Sequence, residues 1–331
     1  MNIGIVGAGL IGNKRAQSIK ELHRDRIVAI ADVDPKKAYA LSKKYSCQAT
    51  DSWKKLIKIK EIDIVVIAVP NKFIKPIAIG AIEQRKNVLC EKPFGRNSKE
   101  SKIIIDSAKE NKVLVKVGFN HRFHPAILMA KKIVEQGKIG KIIFIRGRYG
   151  HGGRKNMEKE WRMSKEICGG GELLDQGVHL IDLCRYFCGD FKEVFGTAET
   201  KFWKTDVEDN SFILMKNKLV TAQLHASWTN WKNIFSFEIF GKEGFLQING
   251  LGGSYGKERL IFGKRKKEFG VPTMREYLFD EDTSWQKEWI NFKNALLNKE
   301  ALIGTSIDGL KANQIIEAVY RSNELKKNIK L

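Results

Sequence analysis

A short stretch from Gly169 to Asp182 places groups that can move protons on a predicted helix. It reads Gly-Gly-Gly-Glu-Leu-Leu-Asp-Gln-Gly-Val-His-Leu-Ile-Asp. Residues three and four apart share one helix face, so a polar stripe is predicted on an otherwise apolar helix, formed by Asp175, His179, Asp182 and Tyr186. A carboxylate and an imidazole in this arrangement suit general acid–base chemistry in a cleft. The same stripe fits a surface face with a satisfied histidine, and the stretch alone does not separate the two interpretations.

The composition describes an ordinary globular protein. The chain has 331 residues, 43% hydrophobic and 29% charged, which is enough for two domains. Its longest apolar run, 64–69, is too short to span a bilayer, and no secretory signal is expected. Five cysteines are a sparse and odd set, which favours a reducing, cytoplasmic location without disulfides and without a metal site.

The net charge of +21 raises the question of an anionic partner. The lysines are dispersed along the chain, and no stripe of aromatic residues alternates with them. Such runs are usually solvated faces, so nucleic acid is not expected as a partner, nor is a membrane. The surplus could favour anionic small molecules near the surface.

The first residues predict a dinucleotide-binding turn. The apolar run 2–6 predicts a buried strand, and a helix-like stretch follows the turn. Gly7 permits the tight turn, Gly9 lets the backbone approach a pyrophosphate, and Gly12 lets the helix pack on the sheet. The phosphates are expected at the helix N-terminus, where N–H groups favour anions. The predicted cofactor contacts here are Gly7, Ala8, Gly9, Leu10, Ile11 and Gly12.

Asp32 is the candidate for distinguishing NAD from NADP. It follows a second predicted strand, 27–31, and lies 20 residues beyond Gly12. An acid at this place accepts a hydrogen bond from the ribose 2′-hydroxyl and repels a 2′-phosphate, which favours NAD. Lys36 and Lys37 lie just beyond and could partly offset this preference, so NADP stays possible.

Two further strand ends carry candidate cofactor residues. Val69, Pro70 and Asn71 end the apolar run at the edge where ligands bind in open α/β sheets. Glu91 and Lys92 end the next apolar segment, and Pro93 restricts the backbone of the residue before it. A lysine held there beside the nicotinamide could hydrogen-bond a reacting oxygen and shuttle a proton.

In combination these motifs resemble the glucose–fructose oxidoreductase/inositol dehydrogenase (Gfo/Idh/MocA) family. The resemblance covers nearly the whole chain. It departs at Ile74, where many relatives carry histidine, and at Arg85, where glycine is common. The motifs that carry it are Gly7-x-Gly9-x-x-Gly12, Pro70-Asn71, Glu91-Lys92-Pro93, Asn120-x-Arg122-Phe123-x-Pro125, Trp161-Arg162, and the glycine-rich stretch ending at Asp182.

The resemblance implies a fold and a reaction. The fold is an α/β Rossmann dinucleotide-binding domain over residues 1–120, followed by an α+β domain over 121–331 with a large, mostly antiparallel sheet. The reaction is hydride transfer between nicotinamide and a secondary alcohol or ketone of a sugar, cyclitol or sugar derivative. His179 would be the general base, Lys92 would stabilise the developing oxygen, and Asp175 would position the substrate and tune His179.

The expected substrate contacts are Lys92, Asn120, Arg122, Trp161, Arg162, Asp175 and His179. Arg122 could instead form an interdomain salt bridge, and Trp161 could be a packed side chain beside an exposed Arg162. Asp182 is expected to fix the helix or the histidine tautomer. His121 and His124 are predicted to be structural or surface residues. The three glycines at 169–171 are predicted to leave space for the substrate to approach the backbone.

Two other functions stay open. The chain could be a keto-sugar or nucleotide-sugar reductase using NADPH, or a non-catalytic dinucleotide-binding regulator. A homodimer or homotetramer is expected through the second-domain sheet, whose outer face is predicted to carry Trp228, Trp231, Phe235 and Phe237. Residues 250–283 are predicted to be irregular, and the last helix to span 306–326.

Overall fold

The computed structural model describes residues 1–22 and 25–331, which form two compact units. The predicted domain boundary after residue 120 stays a prediction, and residues 285–313, expected in the second domain, belong to the first unit. The first unit comprises Met1–Asn120, Glu166–Cys168 and Trp285–Asn313, and the second comprises His121–Lys165, Gly169–Ser284 and Gln314–Leu331.

A parallel sheet of six strands organises the first unit. Its strands are β1 (Asn2–Val6), β2 (Arg26–Ala31), β3 (Gln48–Thr50), β4 (Ile64–Ile67), β5 (Asn87–Glu91) and β6 (Val115–Gly118). Their order is β3-β2-β1-β4-β5-β6. The order reverses between β1 and β4, and ligands of such sheets bind at the carboxyl ends of the strands beside this reversal. The predicted Rossmann architecture is therefore confirmed.

Helices connect these parallel strands. They are α1 (Leu10–Glu21), α2 (Pro35–Tyr45), α3 (Trp53–Leu56), α4 (Asn71–Glu83) and α5 (Ser98–Asn111). Ile3 and Ile5 of β1 and Ile19 of α1 are fully buried in one core, which explains why the strand reads as an unbroken apolar run. Just beyond α4, Arg85 has φ +57°, a left-handed conformation that glycine adopts more readily than arginine does.

A sheet of nine strands organises the second unit. It contains β7 (Ile142–Gly150), β8 (Glu193–Glu199), β9 (Asn210–Lys216), β10 (Thr221–Ser227), β11 (Ile234–Gly241), β12 (Gly244–Asn249), β13 (Glu258–Lys264), β14 (Thr273–Phe279) and β15 (Ile329–Lys330). The order is β14-β13-β12-β11-β7-β10-β9-β8-β15. Only the pairing of β7 with β10 is parallel among these strands, so the sheet is mixed and mostly antiparallel, as predicted.

The remaining helices follow along the chain. They are α6 (Pro125–Glu135), α7 (Lys165–Cys168), α8 (Val178–Cys188), α9 (Ser284–Leu296) and α10 (Ser306–Leu325). The last agrees with the predicted helix, whereas α9 was not predicted. In the described part of the chain, no helix combines the length and hydrophobicity needed to cross a bilayer.

Two predictions for the second sheet are wrong. Residues 250–283 are not irregular throughout, because β13 and β14 lie within them. Trp228, Phe235 and Phe237 do not lie on the outer face, since each is at most 2% exposed. The alternation of side chains along a strand assigns each residue to one of the two faces of the sheet, but it does not show which face is buried.

The exposed face of this sheet carries a different set of apolar side chains. Phe212 and Leu214 of β9 are 53% and 47% exposed. Phe144 of β7 stacks on Phe240 of β11 with ring centroids 4.5 Å apart. We call this set, together with the exposed Phe195 of β8, the aromatic face.

Candidate functional site

The glycine-rich turn after β1 has the geometry that a dinucleotide requires. Gly7 has φ +103°, and a Cβ there would lie 2.1 Å from the carbonyl oxygen of Ala68. A Cβ on Gly12 would lie 1.8 Å from the carbonyl oxygen of Gly7. Beside Gly9 a Cβ would meet nothing within 4 Å, so there is room for a ligand at the start of α1. This N-terminus therefore fits a pyrophosphate.

Asp32 lies directly after β2 and closes this turn. Its two carboxylate oxygens accept hydrogen bonds from the backbone N–H of Ala8 at 2.7 Å and of Asp34 at 2.9 Å. These bonds fix the carboxylate beside the glycine-rich turn. Each oxygen keeps a further lone pair that can accept a ribose hydroxyl.

Asn71 begins α4, directly after Val69 and Pro70 at the carboxyl end of β4. Its side chain is buried, and its amide donates a hydrogen bond to the carbonyl oxygen of Cys168 at 2.7 Å. The structure thus gives Asn71 a role in holding α7. Its contact with the cofactor stays a prediction.

Glu91 ends β5 in a buried charge cluster that the sequence did not reveal. The carboxylate of Glu91 accepts a 2.6 Å hydrogen bond from Arg15 Nε, and Arg15 also pairs with Glu288. Lys116 lies 3.8 Å from Glu288, and burial raises the pKa of Glu91 although Arg15 opposes the rise. Glu91 is thus anchored inside the first unit, and the half-buried Lys92 follows it.

Gly170 and Gly171 serve packing within the second unit. A Cβ on Gly170 would lie 2.1 Å from the hydroxyl oxygen of Tyr320, and one on Gly171 would lie 1.9 Å from the carbonyl oxygen of Glu208. The buried carboxylate of Glu208 accepts hydrogen bonds from the N–H groups of Gly171 and Leu173 and from the Tyr320 hydroxyl. At Gly170 and Gly171 the space predicted for the substrate is therefore filled by protein.

The predicted helix begins with a π-helical turn, Leu173–Gly177, and continues as α8. Asp175 lies in this wider turn, and its side chain is 28% exposed. Its Oδ2 atom lies 3.6 Å from Arg162 Nε. The carboxylate of Asp175 is therefore accessible to a ligand from solvent, and the Arg162 guanidinium lies beside it.

His179 lies on the first turn of α8 and is only 3% exposed. Its ring stacks on that of His121, with centroids 3.7 Å apart and planes inclined by 20°. The Tyr149 ring of β7 lies 5.3 Å from His121 and 6.2 Å from His179. His121 is thus a direct neighbour of the proposed base, a contact that the sequence did not reveal.

Arg122 and Asp182 form a buried pair inside the second unit. Arg122 Nε and Nη2 donate to the two Asp182 oxygens at 2.8 and 2.7 Å. These bonds tie α8 to the short turn Asn120–Phe123, so the carboxylate of Asp182 fixes the helix. Asn120 itself is buried. Substrate binding by Asn120 and Arg122 stays a prediction.

Trp161 and Arg162 lie in the segment before α7. The Arg162 guanidinium lies over the Trp161 ring at 4.6 Å, and its Nη1 is 3.5 Å from Glu160. His151, in the same segment, has its pKa lowered by burial, although the Asp175 charge opposes this. The two predicted substrate residues thus contact each other, and Arg162 links Trp161 to Asp175.

The segment after β12 also reaches this turn. Gln176 donates a 2.9 Å hydrogen bond to the Tyr255 hydroxyl, and the Tyr255 ring lies 5.3 Å from Tyr149. Burial raises the pKa of Tyr255 to about 12, so its phenol is neutral near pH 7. The sequence did not identify Tyr149 or Tyr255 because neither belongs to a recognisable motif.

The glycine-rich turn at the sheet reversal and the acid after β2 define the first unit as a dinucleotide-binding Rossmann unit. Residues 1–119 match the family description "Oxidoreductase family, NAD-binding Rossmann fold". Residues 127–247 match "GFO/IDH/MocA C-terminal domain". The chain therefore belongs to the GFO/IDH/MocA family of NAD-binding oxidoreductases.

Two named relatives of this chain are dehydrogenases of sugar compounds. It is 33% identical to levoglucosan dehydrogenase of Pseudarthrobacter phenanthrenivorans over 211 residues, which span 60% of this chain and 54% of that protein. It is 26% identical to glucose-6-phosphate 3-dehydrogenase of Bacillus subtilis, over 97% of this chain and 96% of that one. A solved levoglucosan dehydrogenase in complex with NADH and levoglucosan has the same fold, with a TM-score of 0.90, 24% identity, and coverage of 100% and 99%.

Proposed function

We propose that the protein is an NAD-dependent dehydrogenase acting on a secondary alcohol, or the corresponding ketone, of a sugar, cyclitol or sugar derivative. One observation carries this proposal: the partly exposed Asp175 and the buried His179 lie one turn apart on the same helical stretch. The chain belongs to an NAD-binding oxidoreductase family. The names of the two sugar dehydrogenases support a sugar-type substrate.

In this proposal the three predicted catalytic residues have distinct tasks. His179 takes the proton of the substrate hydroxyl, because an imidazole can accept a proton near pH 7. Lys92 hydrogen-bonds the reacting oxygen, and Asp175 orients the substrate through another hydroxyl. The bound nicotinamide supplies the hydride acceptor. Asn120, Arg122, Trp161 and Arg162 are the further substrate contacts of this proposal.

The proposed cofactor contacts are the residues of the glycine-rich turn, Asp32, and the strand ends at 69–71 and 91–92. A preference for NAD over NADP is supported by the fixed carboxylate of Asp32 beside the turn. This carboxylate would repel a 2′-phosphate. Asp32→Asn should therefore reduce the preference for NAD.

We also propose that the aromatic face joins copies of this chain into a homodimer or homotetramer, since exposed apolar patches of this kind usually mark an interface. The proposed division of labour is cofactor binding by 1–120, and substrate binding and assembly by 121–331. The partner is a small molecule and not nucleic acid. The free thiols of all five cysteines suit a reducing, cytoplasmic compartment.

A substrate panel tests the proposed function. The purified protein is mixed with inositols, aldoses, levoglucosan, glucose 6-phosphate and nucleotide sugars, each with NAD and with NADP, and the absorbance of the reduced cofactor is followed. We expect turnover of at least one sugar or cyclitol, faster with NAD. Tight NAD binding without oxidation of any alcohol, or reduction of any matching ketone, would contradict the proposal and favour the non-catalytic regulator.

A further inference from the structure

One buried arginine joins three segments of the first unit, and it leads beyond the proposed function. Arg15 lies in the second turn of α1, and its side chain is 1% exposed. Its Nε and Nη2 atoms lie 2.6 and 2.5 Å from the same carboxylate oxygen of Glu91, at the end of β5. Its Nη1 atom donates a 2.5 Å hydrogen bond to Glu288 of α9. A single guanidinium therefore ties together α1, β5 and α9.

The surroundings of Arg15 leave its guanidinium little room to move. The guanidinium lies over the Trp285 ring, 4.5 Å from the ring centroid. On β6, a Cβ at Gly118 would lie 2.7 Å from Arg15 Nη2 and 3.1 Å from Glu91 Oε1, so a glycine is needed beside the ion pair. The position of the Glu91 carboxylate is thus fixed by packing as well as by charge.

The fixed side chain of Glu91 also constrains the residue that follows it. Glu91 is the last residue of β5, and its backbone pairs with Gly118 in the parallel ladder with β6. Lys92 comes next and is half-buried. Because the ladder holds the backbone of Glu91 and Arg15 holds its carboxylate, the chain leaves the strand in one direction. The Arg15 contact therefore limits where the Lys92 side chain can lie.

A buried charge cluster is a costly way to join these segments. Apolar side chains of similar volume often give equal or greater stability, because charges lose hydration when they are buried. Burial raises the pKa of Glu91, although the Arg15 charge opposes this. The contribution of Arg15 is therefore expected in geometry, since its planar fork fixes the carboxylates that it binds.

We propose that Arg15 is a positioning residue for Lys92, which fixes the end of β5 relative to α1 and its proposed pyrophosphate site. The inference rests on the proposed role of Lys92 at the reacting oxygen. The Lys92 ammonium must lie within hydrogen-bond distance of that oxygen while the cofactor is held by the same unit. Arg15 is buried and acts through Glu91, not on the reacting atoms. A misplacement of about 1 Å can lower the rate about 100-fold.

Kinetics of two variants test the positioning. Arg15→Met leaves the carboxylates of Glu91 and Glu288 close together without the arginine. Arg15→Met/Glu288→Gln removes one of these two charges and should be the more stable protein in urea denaturation. We expect both variants to lower kcat at least about 10-fold, with the Kd for NAD and the KM for the alcohol within about 3-fold of the wild type. Levoglucosan, or the best substrate of the panel, serves as the probe.

The matched control is Lys293→Met, which breaks another ion pair of α9. Lys293 Nζ lies 2.7 Å from Asp25, whose side chain is 1% exposed. This variant should lose stability but keep kcat within about 3-fold of the wild type. If kcat instead follows stability, so that the double variant recovers activity or the control loses it, Arg15 is only structural and the proposal is overturned. If Arg15→Met does not fold, the double variant and the control decide the matter.

Labelling of lysines tests the placement of Lys92 without any substrate. A trace of an amine-reactive ester is added to each folded protein, and mass spectrometry gives the labelling ratio of Lys92 to the exposed Lys109. The reactivity of an amine depends on its exposure and pKa, so a displaced Lys92 should change this ratio at least about 3-fold in the double variant. Lys293→Met should leave the ratio unchanged. An unchanged ratio in the double variant would contradict the proposal, whatever its kcat.

The two kinds of failure can be told apart. If the wild type oxidises no alcohol in the panel, the proposed function fails, but the labelling still reports whether Arg15 places Lys92. If the panel finds a substrate and the double variant keeps the labelling ratio or the kcat of the wild type, only the role of Arg15 fails.

Discussion

The pair of Arg122 and Asp182 shows how single residues hold the second unit together. Both side chains are at most 6% exposed, and two hydrogen bonds join them. A buried pair adds little net stability over an apolar pair, but removal of one partner leaves a charge without compensation. The two residues are 60 positions apart in the chain, so their contact could not be read from the sequence.

Asp182→Asn should therefore lower the free energy of unfolding by about 3 kcal/mol, because the buried Arg122 charge loses the carboxylate that accepts its two hydrogen bonds. Urea denaturation of the full chain measures this change. The matched control is Asp51→Asn at the exposed pair with Lys55, where no measurable change is expected. Equal effects of the two substitutions would contradict this account of the buried pair.

At the scale of elements, the glycine-rich entry to α8 depends on Glu208. The Glu208 carboxylate accepts hydrogen bonds from Gly171 and Leu173, and burial raises its pKa above the ordinary value of 4.5. A carboxyl group whose pKa is raised in the folded state stabilises the fold at low pH, where the group is protonated. That stability is lost as the pH rises through the folded-state pKa.

Glu208→Gln keeps a carbonyl oxygen for these hydrogen bonds but cannot ionise. We expect the free energy of unfolding of the wild type, relative to Glu208→Gln, to fall as the pH rises from about 4 to 8. Urea denaturation across this range measures the difference. Glu110→Gln, at an exposed position, is the control and should show no such trend. If the difference in the free energy of unfolding between the wild type and Glu208→Gln stays constant or increases with pH, the proposed effect of burial on Glu208 is contradicted.

The sequence predicts elements well where local pattern and packing agree. The apolar run 2–6 predicts β1. The spacing of Gly7, Gly9 and Gly12 predicts the tight turn and the start of α1, and the structure has no room for a side chain at Gly7 or Gly12. The π-helical turn at Asp175 was missed, because its residue types also fit an ordinary helix. Tyr255 and His121 were missed for another reason: their importance comes from contacts with distant segments and not from local spacing.

At the scale of the whole molecule, the prediction of assembly through the sheet stays open, although Trp228, Phe235 and Phe237, first assigned to its outer face, are buried. Phe212 stacks on His225 at 4.2 Å and remains 53% exposed. Leu214, next along the same face, is 47% exposed. A second copy that covers these side chains would remove this apolar area from water.

Phe212→Glu should separate the proposed oligomer, because burial of a carboxylate in an apolar interface is unfavourable. Light scattering during size-exclusion chromatography measures the mass. We expect a multiple of 37.7 kDa for the wild type and 37.7 kDa for the variant. Phe269→Glu, at a 73% exposed position outside the aromatic face, should leave the mass unchanged. A wild-type mass of one chain would contradict the proposed assembly.

In the proposed mechanism, His179 takes the proton of the substrate alcohol. The most direct test is kcat of His179→Asn with the panel's best substrate, measured together with the Kd for NAD. We predict a loss of about 100-fold or more in kcat with an unchanged Kd for NAD, because the glycine-rich turn lies in the first unit. Near-normal turnover by a folded variant that binds NAD would contradict the account.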